Sequence, residues 1–178
     1  MTVYIALLRG VNVGGNNKLP MKAWCEGLAA LGLDNARTYI QSGNALFESD
    51  RAAESLPDLI AADIGARFGF TPECHVLSLD QVRAARQACP YAPEGEEAHK
   101  QVHLMFIKGD IKTYDPDGLA TLATQGERFH MGEGVFYLYT PQGFGKSVVA
   151  EKLPRFLKAR TTARNLRTVE TLIEMAAD

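Results

Sequence analysis

Apolar and polar positions along the chain follow two periods, and the changes between them mark the elements. Residues 3–8, VYIALL, are continuously apolar, the pattern of a strand buried on both faces and therefore central in its sheet. After a polar loop, Met21, Trp24, Leu28 and Leu31 recur at helical spacing, with Pro20 suited to the first helical position and Gly32 to the left-handed stop. RTYIQ and NALFE flank Ser42-Gly43, which predicts a β-hairpin. Ser55, followed by Pro57 and Asp58, opens a helix bearing Leu56, Leu59, Ile60, Ile64 and Phe68, and Gly69 closes it; ECHVL is the next strand.

That order is βαββαβ. Its simplest closure with right-handed crossovers is a split βαβ, two helices on one face of a four-stranded antiparallel sheet. Ser78 and Gln81 form a capping box for a connecting helix to about Ala88, and Cys89-Pro90 with the acidic YAPEGEE stretch reads as linker. The second half repeats the pattern: strand QVHLMFI, a short helix opened by Asp115-Pro116, the hairpin ERFHM-GEG-VFYLY, a helix from Ser147, a short TTAR strand, and a last helix with Leu166, Val169, Leu172 and Ile173. In the helix from Ser147, Val149, Leu153, Phe156 and Leu157 form the apolar stripe, Lys152, Arg155 and Lys158 lie opposite, and Pro154 should kink it. The chain is thus predicted to be α+β, with a first repeat at residues 1–78, a connecting helix and linker at 79–100, and a second repeat with a C-terminal helix at 101–178.

Composition narrows the setting. The 178 residues, 46% hydrophobic, suffice for one ordinary domain or two small ones. Three cysteines, at 25, 74 and 89, contain no C-x-x-C pair and leave one unmatched, which points to a reducing, cytoplasmic compartment; no segment reaches the roughly 20 apolar residues of a membrane span, so no membrane partner is expected. The net charge of −2 gives no global attraction to nucleic acid, yet residues 146–168 hold seven Lys or Arg against one acidic residue, a local +6.

The runs YIALLRGVNVGGNNKLPM and RTYIQSGNALF, with GFGKS and TTARNLRTV near the end, resemble the bacterial family known as domain of unknown function 1697 over almost the whole length. Leu166-Arg167 stands where that family favours Trp-Asn. The resemblance implies two tandem ferredoxin-like α+β repeats; it implies no established activity, cofactor or catalytic set.

Candidate chemistry lies at two strand ends. In a split βαβ the first and second strands are parallel, so RGVNVGGNN (9–17) and QSGN (41–44) open on one edge. Glycine-rich backbone can turn amides inward as an anion nest, with Arg9, Asn12, Asn16, Lys18, Gln41 and Asn44 adding donors. The same residues serve equally well to brace the two loops against each other. Arg9 needs a partner: a backbone carbonyl, Glu48, or a ligand. GFGKS (143–147) lies before a helix N-terminus, but position 140 is threonine, so the full phosphate-loop motif is missing and the choice is an anion site or a turn capped by Ser147. By the same parallel-strand argument Lys146-Ser147 and Arg164-Asn165 should converge on one edge.

Other signals are weak. His99 and His103 straddle a linker and a strand, so no metal site is predicted; His75 and His130 stand isolated; Cys25 and Trp24 read as core. No cofactor is implied. The leading function is binding of a small anionic or phosphorylated ligand. The alternatives are a nucleic-acid or protein interaction module using the basic C-terminal segment, and an enzyme whose groups are assembled from distant residues.

Overall fold

The computed structural model describes residues 1–178. The first half runs β1 (Thr2–Arg9), α1 (Met21–Ala30), β2 (Asp34–Tyr39), β3 (Asn44–Ser49), α2 (Leu56–Phe68), β4 (Glu73–Ser78) and α3 (Leu79–Gln87). A short helix, α4 (Glu96–His99), then interrupts the acidic linker, where the sequence predicted none. The second half runs β5 (Val102–Tyr114), α5 (Pro116–Ala120), β6 (Arg128–Met131), β7 (Val135–Tyr139), α6 (Val148–Phe156), β8 (Leu157–Asn165) and α7 (Leu166–Met175). The protein is therefore α+β, with seven α-helices and two four-stranded antiparallel sheets ordered β2-β3-β1-β4 and β6-β7-β5-β8. By contacts it divides into two units, Met1–Arg83 with Leu172–Asp178, and Ala84–Thr171.

In the first unit β1 lies between β3 and β4, and Tyr4 to Leu8 are all buried, as its unbroken apolar run requires. Tyr4, Ala6 and Leu8 point into a core with Trp24 and Leu28 of α1, Leu56, Ile60 and Ile64 of α2, and Ala45 and Phe47 of β3. Each such side chain fully removed from water contributes about 1.5–3 kcal/mol. Gly69 (φ +82°) stops α2 and Gly32 (φ +76°) follows α1, while Pro20 sits just before α1 rather than inside it. Ser78 and Gln81 do form the reciprocal cap of α3, at 2.8 and 3.2 Å. Ser55 caps nothing: its hydroxyl donates to the Ala52 carbonyl at 2.7 Å, because a 3₁₀ turn over Ala53–Ser55 already leads into α2.

The second unit packs Met105, Phe136 and Leu138 against Leu119 of α5 and Val149 and Leu153 of α6. Two expectations need correction. The strand predicted at QVHLMFI extends to Tyr114, because Thr113 and Tyr114 pair with Lys158 and Leu157 of β8 beyond an irregularity that follows Lys108. The TTAR strand is nine residues long and begins at Leu157, so Leu157 and Lys158 pair with Tyr114 and Thr113 instead of continuing α6; Pro154 occupies the last turn of that helix.

The two units reuse one joint. Leu8 N–H donates to the Gly43 carbonyl at 2.8 Å, and Ile107 N–H to the Gly134 carbonyl at 2.9 Å. At Gly43, φ is +84° and an added Cβ would lie 2.8 Å from both Leu8 Cβ and Val11 Cγ2. Gly43→Ala is therefore expected to lower unfolding free energy by about 2–4 kcal/mol, through left-handed strain and overpacking, read from the urea denaturation midpoint.

Candidate functional site

The loop after β1 and the hairpin after β2 meet, and asparagine side chains join them. The Asn12 carboxamide donates to the Leu19 carbonyl (3.0 Å) and the Gln41 carbonyl (2.8 Å), and its oxygen accepts Leu19 N–H (2.8 Å). Gly14 and Gly15, both at positive φ, turn the chain so that Asn16 N–H reaches the Val13 carbonyl at 2.9 Å, and Asn17 Nδ2 donates to the Gly10 carbonyl at 3.1 Å. Fully buried Asn44 donates to the Tyr39 carbonyl (3.1 Å) and Ser42 Oγ (2.8 Å). A carboxamide carries two N–H bonds. Those of Asn12 and Asn44 are all taken by the protein's own oxygens, whereas Arg9, Asn16, Lys18 and Gln41 are exposed.

Glu48 is not beside Arg9. It pairs with Val3, toward the other end of β1, and accepts Asn35 Nδ2 at 3.0 Å. Opposite Arg9 stands Glu73 of β4, and one row inward Asn44, Leu7 and His75 lie abreast. Directly paired residues share a face, so Arg9, Glu73, His75 and Asn44 all project on the side away from the α1–α2 core. Nor is His75 isolated: it is buried, with Nε2 3.0 Å from Glu73 Oε1. The Glu-x-His spacing, which puts both side chains on one strand face, was the available signal.

At the other end of the second sheet, where β5 begins, β7 and β8 both run antiparallel to β5 and so finish together, with Val102 paired with Tyr139 and His103 with Asn165. The side chains there act locally. Ser147 Oγ accepts Ala150 N–H (3.2 Å) as the α6 cap and donates to Glu127 Oε1 (3.4 Å). Glu127 is buried, so the anion at this helix start is the chain's own carboxylate. Asn165 Oδ1 accepts Thr168 N–H at 2.8 Å and caps α7. Lys146 is exposed on the turn before Ser147. Glu151 binds Lys152 at 2.6 Å, and Glu170 is shared by Arg86 (2.8 Å) and His99 (2.9 Å).

Arg164 is 8% exposed, and its Nη1 donates to Thr162 Oγ1 (3.0 Å) and the Ala163 carbonyl (2.8 Å), which turns the guanidinium back along β8. In that direction, on the same face, Lys108 stands directly opposite Arg160. Three cations thus share a strip of the second sheet. Burial pushes the Arg164 guanidinium down to about 10. Lys108 and Arg160 lay outside the sequence prediction, because only the β5–β8 register brings them together.

His103 stacks on Phe144 with ring centroids 4.1 Å apart, and its Nδ1 is buried without a hydrogen-bond partner. Burial lowers its pKa from 6.5 to about 4. Cys25 is only partly buried and donates to the Ala36 carbonyl at 3.0 Å, whereas Trp24 is core as expected.

Two outcomes follow. Asn12→Ala should cost about 1–3 kcal/mol, since three backbone groups lose their partner, and chemical denaturation will show it. The folded state favours neutral His103, so its stability is complete above pH 6.5 and falls as pH drops toward 4, by roughly 3 kcal/mol in all. In His103→Phe that component of the pH dependence should vanish, measured by urea unfolding at pH 7, 5.5 and 4.

No curated protein matches the chain. Among solved structures, a conserved bacterial protein, SP0830 from Streptococcus pneumoniae, is similar with a TM-score of 0.68 and 25% identity, covering 98% of each chain. The family described as "Protein of unknown function (DUF1697)" matches residues 1–137, and the chain belongs to it.

Proposed function

We propose that the protein binds a small anionic, phosphorylated ligand, and that the cations of the second sheet grip it. The observation that carries this reading is the strip formed by Lys108, Arg160 and Arg164 beside the Thr162 hydroxyl. Two cations directly opposite on neighbouring strands, with a third on the same face, concentrate positive charge that an anion complements. A phosphate dianion suits the strip because guanidinium groups donate paired, charge-assisted hydrogen bonds to its oxygens. The Asn12–Asn44 end of the first sheet is a brace under this reading.

A nucleic-acid role draws less support. The seven basic residues of 146–168 are dispersed over a turn, α6, β8 and α7, with Lys152 engaged by Glu151 and Arg167 near Glu96 at 3.6 Å. We also read each unit as a ferredoxin-like repeat, which the strand order and its recurrence support. Three free cysteines support a reducing, intracellular setting.

Thermal shift against inorganic phosphate, pyrophosphate, sugar phosphates and nucleotides tests the site. A ligand at 100 times its Kd adds about 2.7 kcal/mol, or roughly 5–10 °C for a chain of this size. Arg160→Gln should remove that shift, measured against the unliganded melting temperature of the same variant. An unchanged shift in Arg160→Gln and Lys108→Gln, or none with any compound, rejects the reading. A steep salt dependence with oligonucleotides would favour the nucleic-acid alternative.

A further inference from the structure

We infer that the cleft between the β2–β3 ribbon and the chain just after α7 binds a small zwitterion, an α-amino acid with an apolar side chain, its carboxylate on Arg37 and its ammonium group on Glu48. The lining belongs wholly to the first unit, so this site is separate from the anion strip of the second sheet.

A bulge in β2 builds the site. Asp34 pairs with Glu48 and Arg37 with Leu46, so Asn35 and Ala36 together stand opposite Phe47 alone. Asn35 accommodates the extra residue at φ +51°, a region asparagine tolerates. In an unbroken register Arg37 would stand opposite Ala45, whose side chain belongs to the core. The bulge therefore turns Arg37 to the outer face beside Leu46, and Ala36 packs against the core in its stead. The Asn35 carboxamide also donates to Glu48 Oε1 at 3.0 Å, which orients that carboxylate and leaves its second oxygen for another donor.

Arg37 and Glu48 are thus diagonal neighbours across the ribbon, about 7–8 Å apart at their backbones, and no ion pair joins them. Both line a cleft of about 420 Å³, together with Val3, Leu46, Ala176 and Asp178. That volume lies in the range of small-molecule sites, roughly 300–1,000 Å³.

The chemistry of the wall identifies the ligand. A guanidinium fork binds a carboxylate through two charge-assisted hydrogen bonds, and a carboxylate accepts from an ammonium group. An α-amino acid carries both groups on one carbon and bridges the two side chains, while Val3 and Leu46 offer an apolar surface to its side chain. With one cation and two carboxylates in its wall, the cleft complements a ligand bearing both charges rather than an anion alone.

Calorimetric titration of the full-length protein with L-leucine, isovaleric acid, isoamylamine and glycine tests the site. Leucine should bind. Isovaleric acid lacks the ammonium group, isoamylamine the carboxylate and glycine the apolar side chain, and each should bind at least about tenfold more weakly. Arg37→Gln and Glu48→Gln should each weaken leucine by at least about tenfold, and Arg160→Gln should leave it unchanged. Arg37 is exposed, and glutamine at 48 keeps an acceptor for Asn35, so both variants should melt close to the parent. Absence of leucine binding at millimolar concentration overturns the proposal. So does equal binding of isovaleric acid, isoamylamine or glycine, an unchanged leucine affinity in Arg37→Gln or Glu48→Gln, or a loss of leucine binding in Arg160→Gln.

Discussion

Two backbone hydrogen bonds, from Leu8 N–H to Gly43 and from Ile107 N–H to Gly134, close the pairing of each central strand with its hairpin neighbour, β3 in the first unit and β7 in the second. A strand buried like β1 cannot expose an unpaired amide inside the core, so its last paired residue fixes where polar side chains become tolerable. Beyond that point come Arg9 in the first unit and Lys108 in the second, each just outside the joint. The same geometry then diverges in chemistry. Facing Arg9 is Glu73; facing Lys108 is another cation, Arg160. The units share a backbone device but set different side chains opposite each other at equivalent places.

Much of the fold was legible because its punctuation is local. Gly32, Gly69, the Ser78–Gln81 box, Asp115-Pro116 and Ser147 each act within one turn of backbone, and all stand at or next to element ends. What escaped was non-local. The length of β5 depends on β8, a distant segment, and nothing in KGDIKT announces it. The end of α6 was misread because Leu157 fits both a helical stripe and a strand.

The candidate site was legible only in its first half. The meeting of residues 9–17 with 41–44 followed from strand direction, but which atoms would be consumed could not, since an asparagine can equally bind a ligand or its own loop. Glu127 illustrates the same limit. Its carboxylate comes from twenty residues upstream to accept from Ser147, at the place a phosphate would have taken. The strip of Lys108, Arg160 and Arg164 required the β5–β8 register, and the bulge that turns Arg37 outward required that of β2 with β3.

The position of β8 at the margin of its sheet gives its charges a second physical role. A strand edge is a template on which another chain can pair, and nine extended residues offer a long one. Lys158 and Arg160 are exposed on that edge, so a second copy approaching in register would bring lysine and arginine against their own kind. The basic residues thereby act as gatekeepers against edge-to-edge aggregation, and a sequence that neutralised them to tune affinity would also lower the barrier to self-association.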